Sequence, residues 1–292
     1  MLNIIGYIIV IGSVFGGFYI AKGPMHMLFQ PVEFLIILGC AFGAFLVANP
    51  LNLVIDTFKS IIPFYTGGKF KKDFYTEALM LMHDLLHVNK VGGAVELEKH
   101  LEEPEESHVF QRYPLILKDH HTTEFVCDNM RLVTLNKFEP HVIEKYIEDE
   151  IDQYYKHAKE PGHALQAVSD ALPGLGIVAA VLGIIITMQH LDGSNAEIGH
   201  HIGVALVGTF AGLLFSYGFV GPAASALDHI AEDEKRLFQV LKVFVVAILH
   251  QYPAEVAAEI SRKFMPPHCK PDFAELEEKI SESKAYFKKN KG

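Results

Sequence analysis

The sequence predicts an all-α integral membrane protein, with four transmembrane helices, a large helical cytoplasmic loop and a helical cytoplasmic tail. Three observations predict it. Half of the 292 residues are hydrophobic, and the mean hydropathy is +0.22, too apolar for an ordinary soluble chain with one core. Four stretches reach the roughly 20 apolar residues that a helix needs to cross hydrocarbon. The basic residues are segregated: 13 of the 25 Lys and Arg lie in residues 56–170, and 11 follow Leu227.

The first span is MLNIIGYIIVIGSVFGGFYIA, residues 1–21, without a charged side chain. It lacks the basic leader and small-residue cleavage site of a signal peptide, so it is expected to remain in the protein. The second is FLIILGCAFGAFLVANPLNLVI, residues 34–55, bounded by Glu33 and Asp56. Asn49-Pro50 predicts a bend or an end before Asp56. The third is SDALPGLGIVAAVLGIIITMQ, residues 169–189, and the fourth is IGVALVGTFAGLLFSYGFVGPAASAL, residues 202–227. The basic residues closest after spans two and four, Lys59, Lys69, Lys71, Lys72, Lys235 and Arg236, fall in the two large blocks. The positive-inside rule therefore places both blocks and both termini in the cytoplasm. The expected organisation is 1–55 (spans one and two), 56–170 (loop), 171–227 (spans three and four) and 228–292 (tail).

The cytoplasmic blocks read as helical. FYTEALMLMHDLLHV has apolar residues at helical spacing and stops at Gly92-Gly93. AVELEKHLEEPEESHVF is a short helix broken at Pro104. From Pro140 the pattern Ile143, Tyr146, Ile147, Ile151 and Tyr154 runs towards span three as one long helix, interrupted near Pro161-Gly162. No strand-like alternation or internal repeat is found.

A net charge of −10 leaves no basic face for phosphates, so nucleic acid is not an expected partner. Cys40, Cys127 and Cys269 fit no metal or disulfide spacing, and Cys40 and Cys127 read as small buried hydrophobes. His83 and His87 share a helix face in HDLLH, but Asp84 stands where a zincin has Glu, and no third ligand follows. Core or surface histidines are the preferred reading, and no metal or cofactor is expected. No nucleophile–base set or phosphate loop points to an enzyme.

Spans one, three and four are rich in small residues, among them Gly16, Gly176, Gly183, Gly208 and Gly212. Small residues let helices approach closely in lipid. Spans three and four carry more of them than one helix pair needs, which suggests several subunits or a second chain's helix. Deep in the spans only uncharged polar groups occur, chiefly Ser13, Asn49, Thr187, Thr209, Ser216 and Tyr217. Intramembrane carboxylates mark ion pathways, and none is expected here, so another chain must supply the titrating group. Thr209 either lines an ion path or bonds back to its own helix; both readings stay open. Pro173 is either a first-turn proline or the joint between a long helix and the membrane. Pro222 holds the corresponding place on span four.

These strings together resemble a known family. LPGLGIVAAVLGI after a long helix, VGTFAGLLFSYGFVGPAASAL, IGYIIVIGSVFGGFYIAKG, QPVEFLIILGCAFGAFLVAN and ELEKHLEEPEES are similar, in order and spacing, to the flagellar motor stator family of MotA and PomA. The likeness extends over nearly the whole chain. It implies a stator subunit that converts ion-motive force into torque. It implies a ring of five copies in membrane lipid around two copies of a MotB-like subunit, whose transmembrane helix carries the essential Asp. In the family two prolines at the cytoplasmic ends of spans three and four matter for torque, and they fall on Pro173 and Pro222. The charged pair that engages the rotor protein FliG falls on Lys90 and Glu98. Lys90 replaces a frequent Arg, keeping the charge without the bidentate fork. Sodium-driven members carry a Thr where this chain has Ala180, so protons are the favoured ion, with Thr209 the one obvious hydroxyl at comparable depth. Two rivals remain, an ExbB/TolQ-like energiser of outer-membrane processes and a membrane scaffold without ion flow. Four spans and the ELEKHLEEP loop weigh against the first; Pro173, Pro222 and Thr209 weigh against the second.

Overall fold

The computed structural model describes residues 2–66, 68–135, 139–189 and 194–289, which are helical with turns and contain no strand. They form two compact units. One gathers residues 1–68 and 158–231, the other residues 69–157 and 232–292.

The first unit is built from α1 (Leu2–Ile20), α2 (Pro31–Ala48), α3 (Leu51–Thr66), the later part of α7 (Pro140–Met188), α8 (Asn195–Phe215) and the start of α9 (Gly221–Leu249). Among the described residues, four helical stretches are long and apolar enough to cross a membrane: Asn3–Ile20, Met25–Ala48, Pro140–Met188 and Glu197–Leu249. Proline opens α2 at its first position, where a missing N–H costs nothing. Pro50 ends it by forcing Asn49 into extended backbone, φ −123° and ψ 140°. The freed Phe45 carbonyl accepts from Asn49 Nδ2 at 2.8 Å. The second span therefore stops at Ala48, and residues 51–55, expected to belong to it, start the separate helix α3. That helix buries Val54 and Thr57 while Leu51, Ile55 and Phe58 stay exposed.

The expected interruption at Pro161-Gly162 is absent. α7 runs unbroken for 49 residues, with Pro161 and Pro173 inside it. Each proline removes one i→i−4 bond, and the bonds of the neighbouring turns carry the helix across. Gly162 serves packing instead: a Cβ there would lie 2.5 Å from Asp228 Oδ1 and 3.3 Å from the Ala224 carbonyl. Ser194 starts α8 with a capping box, its Oγ accepting from the Glu197 N–H at 3.3 Å while the Glu197 carboxylate accepts from the Ser194 N–H at 2.8 Å.

The second unit is built from α4 (Lys72–Glu102), α5 (Pro114–Leu117), α6 (His120–Leu135), the first part of α7, the rest of α9, α10 (Ala254–Phe264) and α11 (Phe273–Lys289). Its core includes Tyr75, Met82, Phe110, Met130, Phe238 and Phe244. Gly93 breaks α4 into two arms, with φ +76° and ψ −179°, a region open to glycine at little cost. Asp84, fully buried, ties α4 to two other elements. It accepts from Tyr113 Oη at 2.5 Å, from Arg112 Nη1 and from Ser283 Oγ. His83 lies 3.1 Å from Asp84 Oδ1 through its Nδ1, and the His87 ring packs on Phe287 at 4.6 Å. Cys127 is buried, its thiol pushed up to about 12 by that burial. Cys40, expected to be buried, is exposed. The buried positions of α2 are Glu33, Ile37, Ala41 and Phe45, and Cys40 points away from that stripe.

Candidate functional site

The candidate site lies in the first unit, where α7 and α8 meet along glycines. A Cβ added at Gly176 would stand 2.8 Å from the Gly208 carbonyl and 3.3 Å from Thr209 Cα. One at Gly212 would stand 2.6 Å from the Leu172 carbonyl. One at Gly208 would stand 3.1 Å from Ala179 Cβ and 3.2 Å from the Ala180 nitrogen. The two backbones thus touch, which only small residues permit. Ala180 is buried in this seam, and Thr209 is half-buried beside it. Thr187 donates its hydroxyl back to the Gly183 carbonyl at 2.9 Å, whereas the Thr209 hydroxyl has no hydrogen-bond partner among the described residues. The opposite face of α7, with Ile177, Val181, Ile185 and Met188, is exposed in the single chain.

At one end of the seam lie the two prolines. Pro173 sits deep inside α7, so the first-turn reading is ruled out: a first-turn proline has no helix before it, and here 33 helical residues precede it (140 to 172). Its ring leaves the carbonyl of Ser169, four residues earlier, without the usual donor. Pro222 stands at the second residue of α9, directly after a π-helical turn, Ser216–Val220. That turn is closed by the Gly221 N–H donating to the Ser216 carbonyl. The same carbonyl accepts from Ser169 Oγ at 3.2 Å, and the two serine hydroxyls also lie 3.2 Å apart. Both serines are buried. Tyr7 adds a strut from α1, donating to the Phe219 carbonyl at 3.0 Å and stacking on its ring at 5.2 Å. The prolines are therefore joined through a Ser169–Ser216 contact at a point where both helices have a loosened hydrogen-bond ladder.

Along 171–189 and 202–220 no acidic or basic side chain occurs. The wider expectation of no carboxylate within the spans is overturned by Glu33. The sequence placed it at a boundary, but α2 starts at Pro31 and carries it inside, 6% exposed. A Cβ at Gly208 would lie 2.9 Å from its Oε2.

In the second unit Lys90 and Glu98 lie on opposite sides of the Gly93 break in α4. Lys90 is exposed and forms no ion pair among the described residues. Glu98 accepts from Arg131 Nε at 2.9 Å, an ion pair that raises the Arg131 guanidinium above its ordinary value.

Two family profiles match this architecture. One, described as Motility protein A N-terminal, covers residues 4–93. The other, the MotA/TolQ/ExbB proton channel family, covers residues 118–240. Motility protein A of Salmonella typhimurium is 36% identical over 280 residues, 96% of this chain and 95% of its own length. The chain belongs to the motility protein A family. Chemotaxis protein LafT of Vibrio parahaemolyticus is 34% identical over 97% of this chain and 99% of its own. In fold, the C. jejuni MotAB structure matches with a TM-score of 0.73 at 18% identity, over 91% of this chain and 95% of that one. The flagellar MotAB stator complex of Bacillus subtilis matches at 0.67 and 19% identity, over 90% and 95%. A motility protein A is a multi-pass membrane protein and not an enzyme, and the four apolar helices agree with the first of these.

Of the residues the sequence singled out, Ala180 and Thr209 each lie on the seam against a glycine of the facing helix, Pro173 and Pro222 lie at its end, and Lys90 and Glu98 belong to the other unit. Sequence reading missed Ser169, Ser216 and Glu33 as members of the site. Ser169 had a signal, since it lies four residues before Pro173. Glu33 had one too, as the acid two residues after Pro31 and directly before an unbroken apolar run.

Proposed function

We propose that this motility protein A is the torque-generating stator subunit of a bacterial flagellar motor. Five copies ring two copies of a MotB-like subunit in the inner membrane, with both termini in the cytoplasm. The partner's transmembrane Asp carries protons past α7, whose exposed apolar face offers the contact while its opposite face is filled by α8. Ala180 and Thr209 contribute to the wall of this path. Pro173 and Pro222 form the joint through which helix movement reaches the cytoplasmic regions. Those regions, residues 56–170 and 228–292, engage FliG through Lys90 and Glu98.

The observation that carries this reading is the glycine-packed seam ending in two prolines, to which neither α7 nor α8 brings a charged side chain, within a chain 36% identical to a motility protein A over 96% of its length. The test is co-expression with the MotB-like partner in a stator-null strain, with native mass spectrometry of the purified complex. Restored swimming and a five-to-two mass are expected. A stable complex that leaves the cells paralysed would refute the function, and another ratio would refute the ring.

A further inference from the structure

One acidic side chain is sealed into the first unit. Glu33 Oε2 has no hydrogen-bond partner among the described residues and no contact with solvent. The carboxylate points into the seam at two glycines on two different helices: a Cβ at Gly183 would lie 3.4 Å from Oε1, and one at Gly208 would lie 2.9 Å from Oε2. At Gly208 the carboxylate occupies space that a side chain would fill; at Gly183, where Ala205 stands closest, Oε1 is at ordinary contact distance. Along their apolar lengths α7 and α8 bring no titratable partner to it. Around α2 and along α8 the titratable groups are His26 and Cys40, seven residues to either side of Glu33, and Glu197, His200 and His201 in the opening turns of α8.

An ionised carboxylate held here without a partner costs several kcal/mol. A bound proton removes that cost and supplies an O–H that can donate to a backbone carbonyl. A sodium ion is a poorer occupant, because it needs several oxygens. The seam offers glycine, alanine and the single Thr209 hydroxyl, while the Thr187 hydroxyl is already spent on its own helix.

We propose that Glu33 is a second proton-binding site on the ion path, carried by this chain rather than by its partner. The carboxylate takes a proton from hydronium, leaving water and a neutral acid, and returns it to water or to a carboxylate further along. The place on the path rests on the stator reading; the binding itself does not.

The test is an infrared pH titration of the full-length chain in complex with its MotB-like subunit, together with proton flux in vesicles. The wild type should show a carboxylic C=O band that fades as pH rises. Glu33→Gln, nearly isosteric, should lose one component of that band, and Glu33→Asp should shift it. Flux should fall several-fold in Glu33→Gln and recover in part in Glu33→Asp, with the complex assembling in both. Superimposable titrations of wild type and Glu33→Gln, a Glu33 band unchanged at every pH, or normal flux in Glu33→Gln would each overturn the proposal. A wild-type complex that conducts nothing would instead count against the stator reading, since the infrared titration reads Glu33 by itself.

Discussion

Asp84 is the centre of one buried polar cluster in the second unit. It is fully buried and meets Arg112, Tyr113, Ser283 and His83. Burial, and then the negative charge of Asp84, push the Tyr113 phenol above its ordinary value, so it remains a donor. Breaking a buried pair by deleting one partner costs about 3–5 kcal/mol. Asp84→Ala should fall near the low end of that range in chemical denaturation, because Arg112 keeps its stacking over Tyr286 at 4.1 Å. Asp84→Asn should cost less. A second residue-scale prediction concerns pH. Burial and then the neighbouring His108 charge hold His100 below its ordinary value of 6.5. The unfolded chain therefore binds this proton more readily than the folded one. The His100 contribution is fully present above about pH 6.5 and is lost as pH falls below it. Thermal melts from about pH 8 to about pH 5 should show a shallower loss of stability in His100→Gln than in the wild type. An unchanged slope would remove His100 from the acid response.

At the scale of elements, the α7–α8 seam and the proline joint make opposite demands on sequence. In the seam, space is the constraint. Gly212→Ala places a methyl 2.6 Å from the Leu172 carbonyl, an overpacking of backbone against backbone worth about 1–3 kcal/mol. Gly174, two residues before Gly176, has open space around its Cβ position, and Gly174→Ala should leave the chain as stable as before or slightly more so. Melting both variants side by side checks this; equal losses would mean the seam is laxer than its distances indicate. At the joint, the constraint is a missing hydrogen bond. Pro173→Ala restores a donor for the Ser169 carbonyl and removes a helix-interior proline, a gain of up to about 3 kcal/mol in helix stability. The variant should melt no lower than wild type while swimming speed falls sharply. Normal swimming would show that the loosened ladder is not used.

For the whole molecule, the choice of ion follows from the oxygens the chain can offer. The seam presents the Thr209 hydroxyl and the Glu33 carboxylate, and Ala180 adds no side-chain oxygen. That is too few ligands to replace the hydration shell of sodium. Swimming should follow the proton gradient and ignore external sodium at constant proton-motive force. Speed that tracks sodium would require an oxygen set elsewhere in the assembly. The large membrane-facing surface has the same logic. α1 and the outer faces of α2 and α7 leave Ile8, Ile9, Leu35, Val47 and Ile186 exposed, a display that water would penalise and lipid or neighbouring subunits would cover.

Composition and patterning were enough to establish the helical class and the four apolar spans, and the resemblance of the motifs pointed to the family. Hydrophobic runs and segregated basic residues are local in sequence, and the solvent that selects them is the bilayer itself. Local chemistry also foretold the Asn49-Pro50 stop and the break at Gly92-Gly93, because proline and glycine act through their own φ angles. Only tertiary structure decided the rest. It kept α7 continuous through Pro161 and Pro173, since the intact bonds of adjacent turns carry a helix across a single missing one. It set Ser169 against Ser216 across 47 residues of chain. It turned Glu33 inward, because α2 begins two residues earlier and its buried stripe includes that position. A side chain's neighbours on other helices follow from packing geometry, and no window of contiguous sequence contains them.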